Sequence, residues 1–221
     1  MSHTTTTLVD LATEHPDALG VFMDHRIDFC CGGTRSLAVA CRAVGLDPDQ
    51  LLAEIEAAER TRQRPAVRWD ERPLPELIEH IVTTYHEPLR RELSVLIEGA
   101  RTVERVHGFR PSCPHGLARH LEGIRSAVES HLDKEERGLF PMILAGRGRA
   151  ALMPVRVMTE EHEDHGRNLA KLRELTHDYT PPPEACANWA SLYRGLARLE
   201  AELMEHIHLE NNILFPRALT E

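Results

Sequence analysis

Two stretches, His131-Leu132-Asp133-Lys134-Glu135 and His206-Ile207-His208-Leu209-Glu210, share the form His-x-x-x-Glu, and after the same interval each reaches Leu-Phe-Pro, at Leu139-Phe140-Pro141 and Leu214-Phe215-Pro216. Positions i and i+4 lie one turn apart on one face of an α-helix, so each stretch predicts an imidazole and a carboxylate aimed at the same place. A single such pair arises easily on a solvated face. Two in matched context make an internal repeat, and it extends upstream: His86 stands 45 residues before His131, and His162 stands 44 before His206. Each half therefore reads as a helical hairpin that gives one His from its first helix and His plus Glu from its second.

Working outward, apolar residues recur at spacings of three and four and strand-type alternation is weak, which predicts an all-α chain. Four long helices are expected, over about Leu74–His107, Pro114–Ala145, Pro154–His177 and Glu184–Leu219, with stops at Gly108, at Gly146 and at Pro181-Pro182-Pro183. Short connections between them predict an antiparallel four-helix bundle. Pro88, Pro141 and Pro216 fall inside these segments, and each is expected to kink or end its helix.

Ahead of the bundle, residues 1–60 read as a small helical domain. Thr34 is the expected cap of a helix through Val44, and Asp47-Pro48-Asp49-Gln50 supplies an N-cap, a first-turn proline and a capping-box Gln for a helix to about Glu59. Residues 61–73, rich in Arg and Pro, read as a linker, which leaves 74–221 for the bundle.

Composition narrows the function classes. The net charge of −9 and the lack of a dense Lys/Arg run argue against nucleic acid or an anionic membrane as the principal partner. Met1 to Asp17 has neither a basic leader nor an apolar core, and no apolar run approaches the roughly 18 to 20 residues that span a bilayer, so a cytoplasmic location is expected. Five cysteines fit reduced thiols better than a disulfide framework.

Four imidazoles and two carboxylates facing one interior predict a metal centre, because burying that many titratable groups without a metal is costly. His86, His131, Glu135, His162, His206 and Glu210 are the candidate ligands. Carboxylate oxygen suits ferric ion, imidazole suits both ferrous and ferric ion, and a carboxylate bridges two metals, so two non-haem irons are the expected cofactor. Zinc in a structural site prefers four ligands with thiolate prominent, and none of these six positions is Cys; manganese stays open by residue type. His80, His107, His115, His120, His165, His177 and His208 have no counterpart in the other half and are expected at the surface or behind the ligands. His208, two positions from His206, is turned about 200° away from the centre.

In these residues, together with Asp28-Phe29-Cys30-Cys31-Gly32-Gly33, Tyr85-His86, Glu161-His162-Glu163 and Thr180 to Cys186, the chain resembles the repair of iron centres family of hemerythrin-like di-iron proteins. The resemblance covers nearly the whole chain. It implies a homodimer, Glu135 and Glu210 bridging two irons capped by the four histidines, and repair of iron–sulfur clusters damaged by nitrosative or oxidative stress. Glu87-Pro88-Leu89 departs from the more polar, proline-free turn expected after the first histidine.

Adjacent cysteines form only a strained disulfide, so Cys30 and Cys31 are expected as reduced thiols near a helix N-terminus that favours the thiolate. They read either as a redox, nitrosyl-accepting or iron-delivering pair or as a structural tight turn. Cys41, Cys113 and Cys186 are expected as buried small apolar residues. Three functions follow: supply of iron to damaged iron–sulfur proteins, reduction of nitric oxide to nitrous oxide at a diferrous pair, and dioxygen binding or sensing. Whether the protein is an enzyme is left open by the residues.

Overall fold

The computed structural model describes residues 6–61 and 67–221. Part of the expected linker, residues 62–66, and the first five residues lie outside the described residues. The described chain is helical throughout, without a strand; Thr7 and Ser36 form an isolated bridge.

The N-terminal part holds α1 (Leu8–Glu14), α2 (Ala18–Asp24), α3 (Leu37–Val44) and α4 (Pro48–Thr61). The first two were not expected. Helix α1 starts in a capping box in which Thr7 Oγ1 accepts from Asp10 N and the Asp10 carboxylate accepts from Thr7 N. The cap of α3 is Ser36 rather than Thr34, and the helix ends at Gly45 with φ 72°, a left-handed turn that favours glycine. Asp47 Oδ1 accepts from Asp49 N at 2.9 Å, so α4 starts as its sequence predicts.

The bundle is built from α5 (Leu74–Ile81) and α6 (Glu87–His107), α7 (Leu117–Lys134) and α8 (Phe140–Leu144), α9 (Leu152–Thr176), and α10 (Ala187–His208) and α11 (Phe215–Thr220). Helix α6 packs against α7 and α10, and α7 against α9. The breaks in the first, second and fourth long helices are single wide turns of π type, at Val82–His86, Glu135–Leu139 and Leu209–Leu214. In each case a proline, Pro88, Pro141 or Pro216, is the second residue after the wide turn. As their residue type predicts, the regular α-helix ends ahead of each of these prolines. A proline has no N–H and its ring clashes with the carbonyl four residues back, and each of these prolines falls in the first turn of the α-helix that follows a wide turn. Turns of this type concentrate at functional sites, and here they contain His86, Glu135 and Glu210.

Two apolar clusters fill the interior. One joins Leu8, Phe22, Phe29 and Leu37 of the N-terminal part to Leu93, Val128, Trp189 and Leu203 of the bundle; the other joins Leu77, Ile81 and Tyr85 to Phe140, Met158, Leu209 and Phe215. The boundary between them crosses the helices at the six candidate ligands. The N-terminal part is held by shared core and by polar contacts: Arg26 pairs with Glu200 and Asp178, and Asn212 Nδ2 donates to the Phe29 carbonyl at 3.2 Å.

Candidate metal centre

All six predicted ligand side chains meet in one layer, each 0 to 2% exposed. They divide into two overlapping groups, His86, His206, Glu135 and Glu210 on one side and His131, His162, Glu135 and Glu210 on the other, each with ligand atoms within 4.8 Å of one another. The Nε2 atoms of His86 and His206 are 3.0 Å apart, and those of His131 and His162 are 3.1 Å apart. Glu210 Oε1 lies 3.0 Å from His206 Nε2 and Glu210 Oε2 lies 3.2 Å from His162 Nε2, so its two oxygens reach both sides. Glu135 Oε2 sits 3.4 Å from His131 Nε2 and 3.6 Å from His86 Nε2.

The electrostatics fit a metal. Both oxygens of Glu135 and of Glu210 are buried without a hydrogen-bond partner, an arrangement disfavoured unless a cation completes it. Burial and the neighbouring Glu210 push the Glu135 carboxyl well above the usual carboxylate range. Burial acts the same way on Glu210, but His206, His162 and His86 outweigh it and hold Glu210 well below that range. His131 is pushed down to about 2 by burial and by His162, and burial also lowers His206, so these rings present neutral lone pairs at neutral pH. Four imidazole nitrogens and two shared carboxylates suit iron, and iron bound there would supply a redox-active, oxygen-ligated centre.

Behind the ligands stand residues that the sequence reading did not single out as partners. His86 Nδ1 meets Glu136 Oε1 at 2.9 Å, His131 Nδ1 meets Glu161 Oε2 at 2.9 Å, and His162 Nδ1 meets Asn211 Oδ1 at 2.8 Å. Such contacts place the proton on Nδ1 and leave Nε2 to face the centre. His206 Nδ1 has no hydrogen-bond partner, and the Tyr85 ring stacks on it at 5.6 Å. Each residue involved adjoins a ligand in sequence: Glu136 follows Glu135, Asn211 follows Glu210, Glu161 precedes His162 and Tyr85 precedes His86. That adjacency was the available signal.

The remaining histidines divide. His208 points away from the centre and is buried between Phe29 and Asn212, with burial lowering it to about 4. His165 is also buried, edge-on to His131 at 4.9 Å. His80 stacks on Trp69 at 4.1 Å, and His120 Nε2 meets the Asn168 carbonyl at 2.9 Å.

Cys30 is buried and Cys31 exposed, both are free thiols, and their sulfurs are 3.9 Å apart. Asp28 Oδ1 accepts from Cys31 N at 3.0 Å. The expected thiolate-favouring environment is absent at Cys30, where the contact with Cys31, burial and Asp28 push the thiol well up, and α3 starts only at Leu37. Gly33 is required by close approach, because a Cβ there would meet the Phe29 carbonyl oxygen at 2.7 Å. Cys41 and Cys113 are buried as expected; Cys186 is exposed, at the N-cap of α10, with His107 Nε2 3.3 Å from its sulfur. A position before a helix lacks the periodic environment that buries a small apolar side chain.

Among proteins of known sequence, the model of the hemerythrin HHE cation binding domain matches residues 77–218. The bundle is thus a hemerythrin-type cation-binding domain. Residues 4–59 match a second family described as a domain of unknown function, DUF542. The iron-sulfur cluster repair protein YtfE of Yersinia pseudotuberculosis serotype IB (strain PB1/+) is 43% identical over 219 residues, 99% of this chain and 99% of the relative. YtfE of Yersinia pestis (strain Pestoides F) matches with the same identity and coverage. The chain belongs to the same family as these YtfE proteins.

Proposed function

We propose that the protein holds two iron ions, one at His86 and His206 and the other at His131 and His162, with Glu135 and Glu210 bridging both, and that it repairs iron–sulfur clusters damaged by nitrosative or oxidative stress by supplying iron. The observation that carries this reading is the sharing of the same two buried, otherwise unpartnered carboxylates by two imidazole pairs. The names of the relatives support the repair role. On this reading iron is cargo as well as occupant, the damaged iron–sulfur protein is the partner, and Cys30 and Cys31 form a thiol station beside the centre. A homodimer in the cytoplasm is part of the same reading; among the described residues no helix is long and apolar enough to cross a membrane.

The test begins with protein made anaerobically with iron available: metal is counted per chain and Mössbauer spectra are recorded before and after reduction. Close to two coupled irons per chain is expected. The loaded protein is then given to a damaged iron–sulfur enzyme under reducing conditions. Restoration no better than that given by an equal amount of free iron defeats the repair reading, and sedimentation checks the dimer.

A second reading is favoured by the same sharing of carboxylates, which sets the two metal positions side by side. Two ferrous ions held there by the four histidines and the two glutamates would supply the two electrons that reduction of two molecules of nitric oxide, with two protons, to nitrous oxide and water requires. Production of nitrous oxide by the diferrous protein in excess nitric oxide separates this activity from iron supply.

A further inference from the structure

Asn211 touches the candidate metal centre with one end of its amide and the thiol loop with the other. Its Oδ1 lies 2.8 Å from His162 Nδ1, and its Nδ2 donates to the Cys30 carbonyl at 3.3 Å. A primary amide has one acceptor end and one donor end, so these contacts are linked. A histidine that gives its Nε2 lone pair to a metal carries its proton on Nδ1. In His162 that N–H donates to Asn211 Oδ1, which turns the NH2 end toward Cys30. With the metal gone, His162 is free to carry its proton on Nε2 instead. Its Nδ1 then accepts, draws the NH2 end of Asn211 to itself, and leaves the Cys30 carbonyl facing an oxygen.

We propose that Asn211 is a positioning residue that latches the Cys30–Cys31 loop closed while metal is held at His162 and releases it when metal leaves. The proposal rests on the metal-centre reading above and deepens it, since it makes departure of iron the event that frees the thiols. The neighbouring Asn212 serves as an internal control. It holds the adjacent carbonyl, that of Phe29, at 3.2 Å, but its other contact is His208 Nδ1 at 2.9 Å, which is not a ligand. Its grip on the loop is therefore independent of metal. The loop also carries its own reporter: Cys30 is 5% exposed, so a reagent reaches its sulfur only through local opening.

The test uses the full chain as wild type, Asn211→Asp and Asn212→Leu, each prepared metal-free and loaded anaerobically with iron(II). Metal is counted, and the rate of iodoacetamide modification of Cys30 is followed by peptide mass. Loading is expected to slow Cys30 in the wild type by about fivefold, the equivalent of one hydrogen bond of about 1 kcal/mol. Asn211→Asp still accepts from His162 but has nothing to donate to Cys30, so it is expected to keep its metal and lose the slowing. Asn212→Leu is expected to react faster in both forms and keep the ratio.

Full metal with equal Cys30 rates in the two wild-type forms overturns the latch, as does an Asn211→Asp protein that keeps the ratio, which would mean metal protects the sulfur directly. Amide hydrogen exchange across Phe29 to Gly33 of the wild type reads the same latch without a variant. Slower exchange on loading is expected, and unchanged exchange overturns it. Wild-type protein that takes up no metal defeats the metal-centre reading itself, and the latch with it.

Discussion

The two hairpins of the bundle are equivalent at the ligands and unlike immediately behind them. His86 corresponds to His162, His131 to His206 and Glu135 to Glu210, and all six are buried in one layer. The residue after each glutamate turns to the first histidine of its own half, but it is the carboxylate Glu136 in one and the amide Asn211 in the other. The residue before each first histidine turns to the second histidine of the opposite half, where Glu161 bonds to His131 and Tyr85 stacks on His206. Arg90 donates to Glu136 at 2.7 Å and Lys134 pairs with Glu161, so charged residues support the two carboxylates in turn. The backbone differs as well. Three of the four long helices carry a wide turn at the centre, whereas α9 passes His162 as an unbroken α-helix. Repetition thus governs where the candidate ligands converge, and divergence at the flanking positions makes the two imidazole pairs chemically distinct.

The comparison is broken most severely at the shared carboxylates. Glu135→Ala or Glu210→Ala is expected to remove most of both metals, because each serves both positions; full iron retention by both variants in a metal count would show that neither bridges. The next effect divides the halves. Glu161→Leu removes a hydrogen bond from His131 and is expected to weaken metal binding by about 10- to 100-fold in competitive titration, whereas Tyr85→Leu removes a stack and no bond to a ligand nitrogen, and should weaken it less. Equal losses would mean that packing, not Nδ1 bonding, holds the rings.

A smaller effect is kinetic. His206 has no partner at Nδ1, so the metal held by His86 and His206 is expected to leave first, giving two phases in anaerobic chelator release. Glu136→Gln should speed the first phase alone. A single phase in the wild type would make the two positions equivalent after all. The smallest effect on metal is expected at His208. His208→Ala should leave the count unchanged and lower thermal stability, because it removes a buried ring packed edge-on against Phe29; loss of iron in this variant would bring His208 into the centre.

Much of this was legible in the chain. The His-x-x-x-Glu repeat with its upstream histidines pointed to six side chains that do converge, and helical spacing is enough for that because a helix fixes direction locally. Helices α1 and α2 were not read, since short helices of seven residues have little periodicity of their own and are held by tertiary packing. The prolines predict a kink or an end to each helix because their clash is a local property; that each interruption is a wide turn carrying a candidate ligand depends on how the helix is held on both sides. Cys186 was assigned by residue type, and its exposure follows from its place at the mouth of a helix.

By itself the sequence determined a helical chain with a duplicated set of six candidate ligands, because residue identity and a spacing of four prescribe both chemistry and face. The tertiary structure alone decided which residue stands behind each ligand and where the thiol loop docks. Those contacts join residues such as Cys30 and Asn211, far apart in the chain, and depend on the packing of separate helices, which no local spacing encodes.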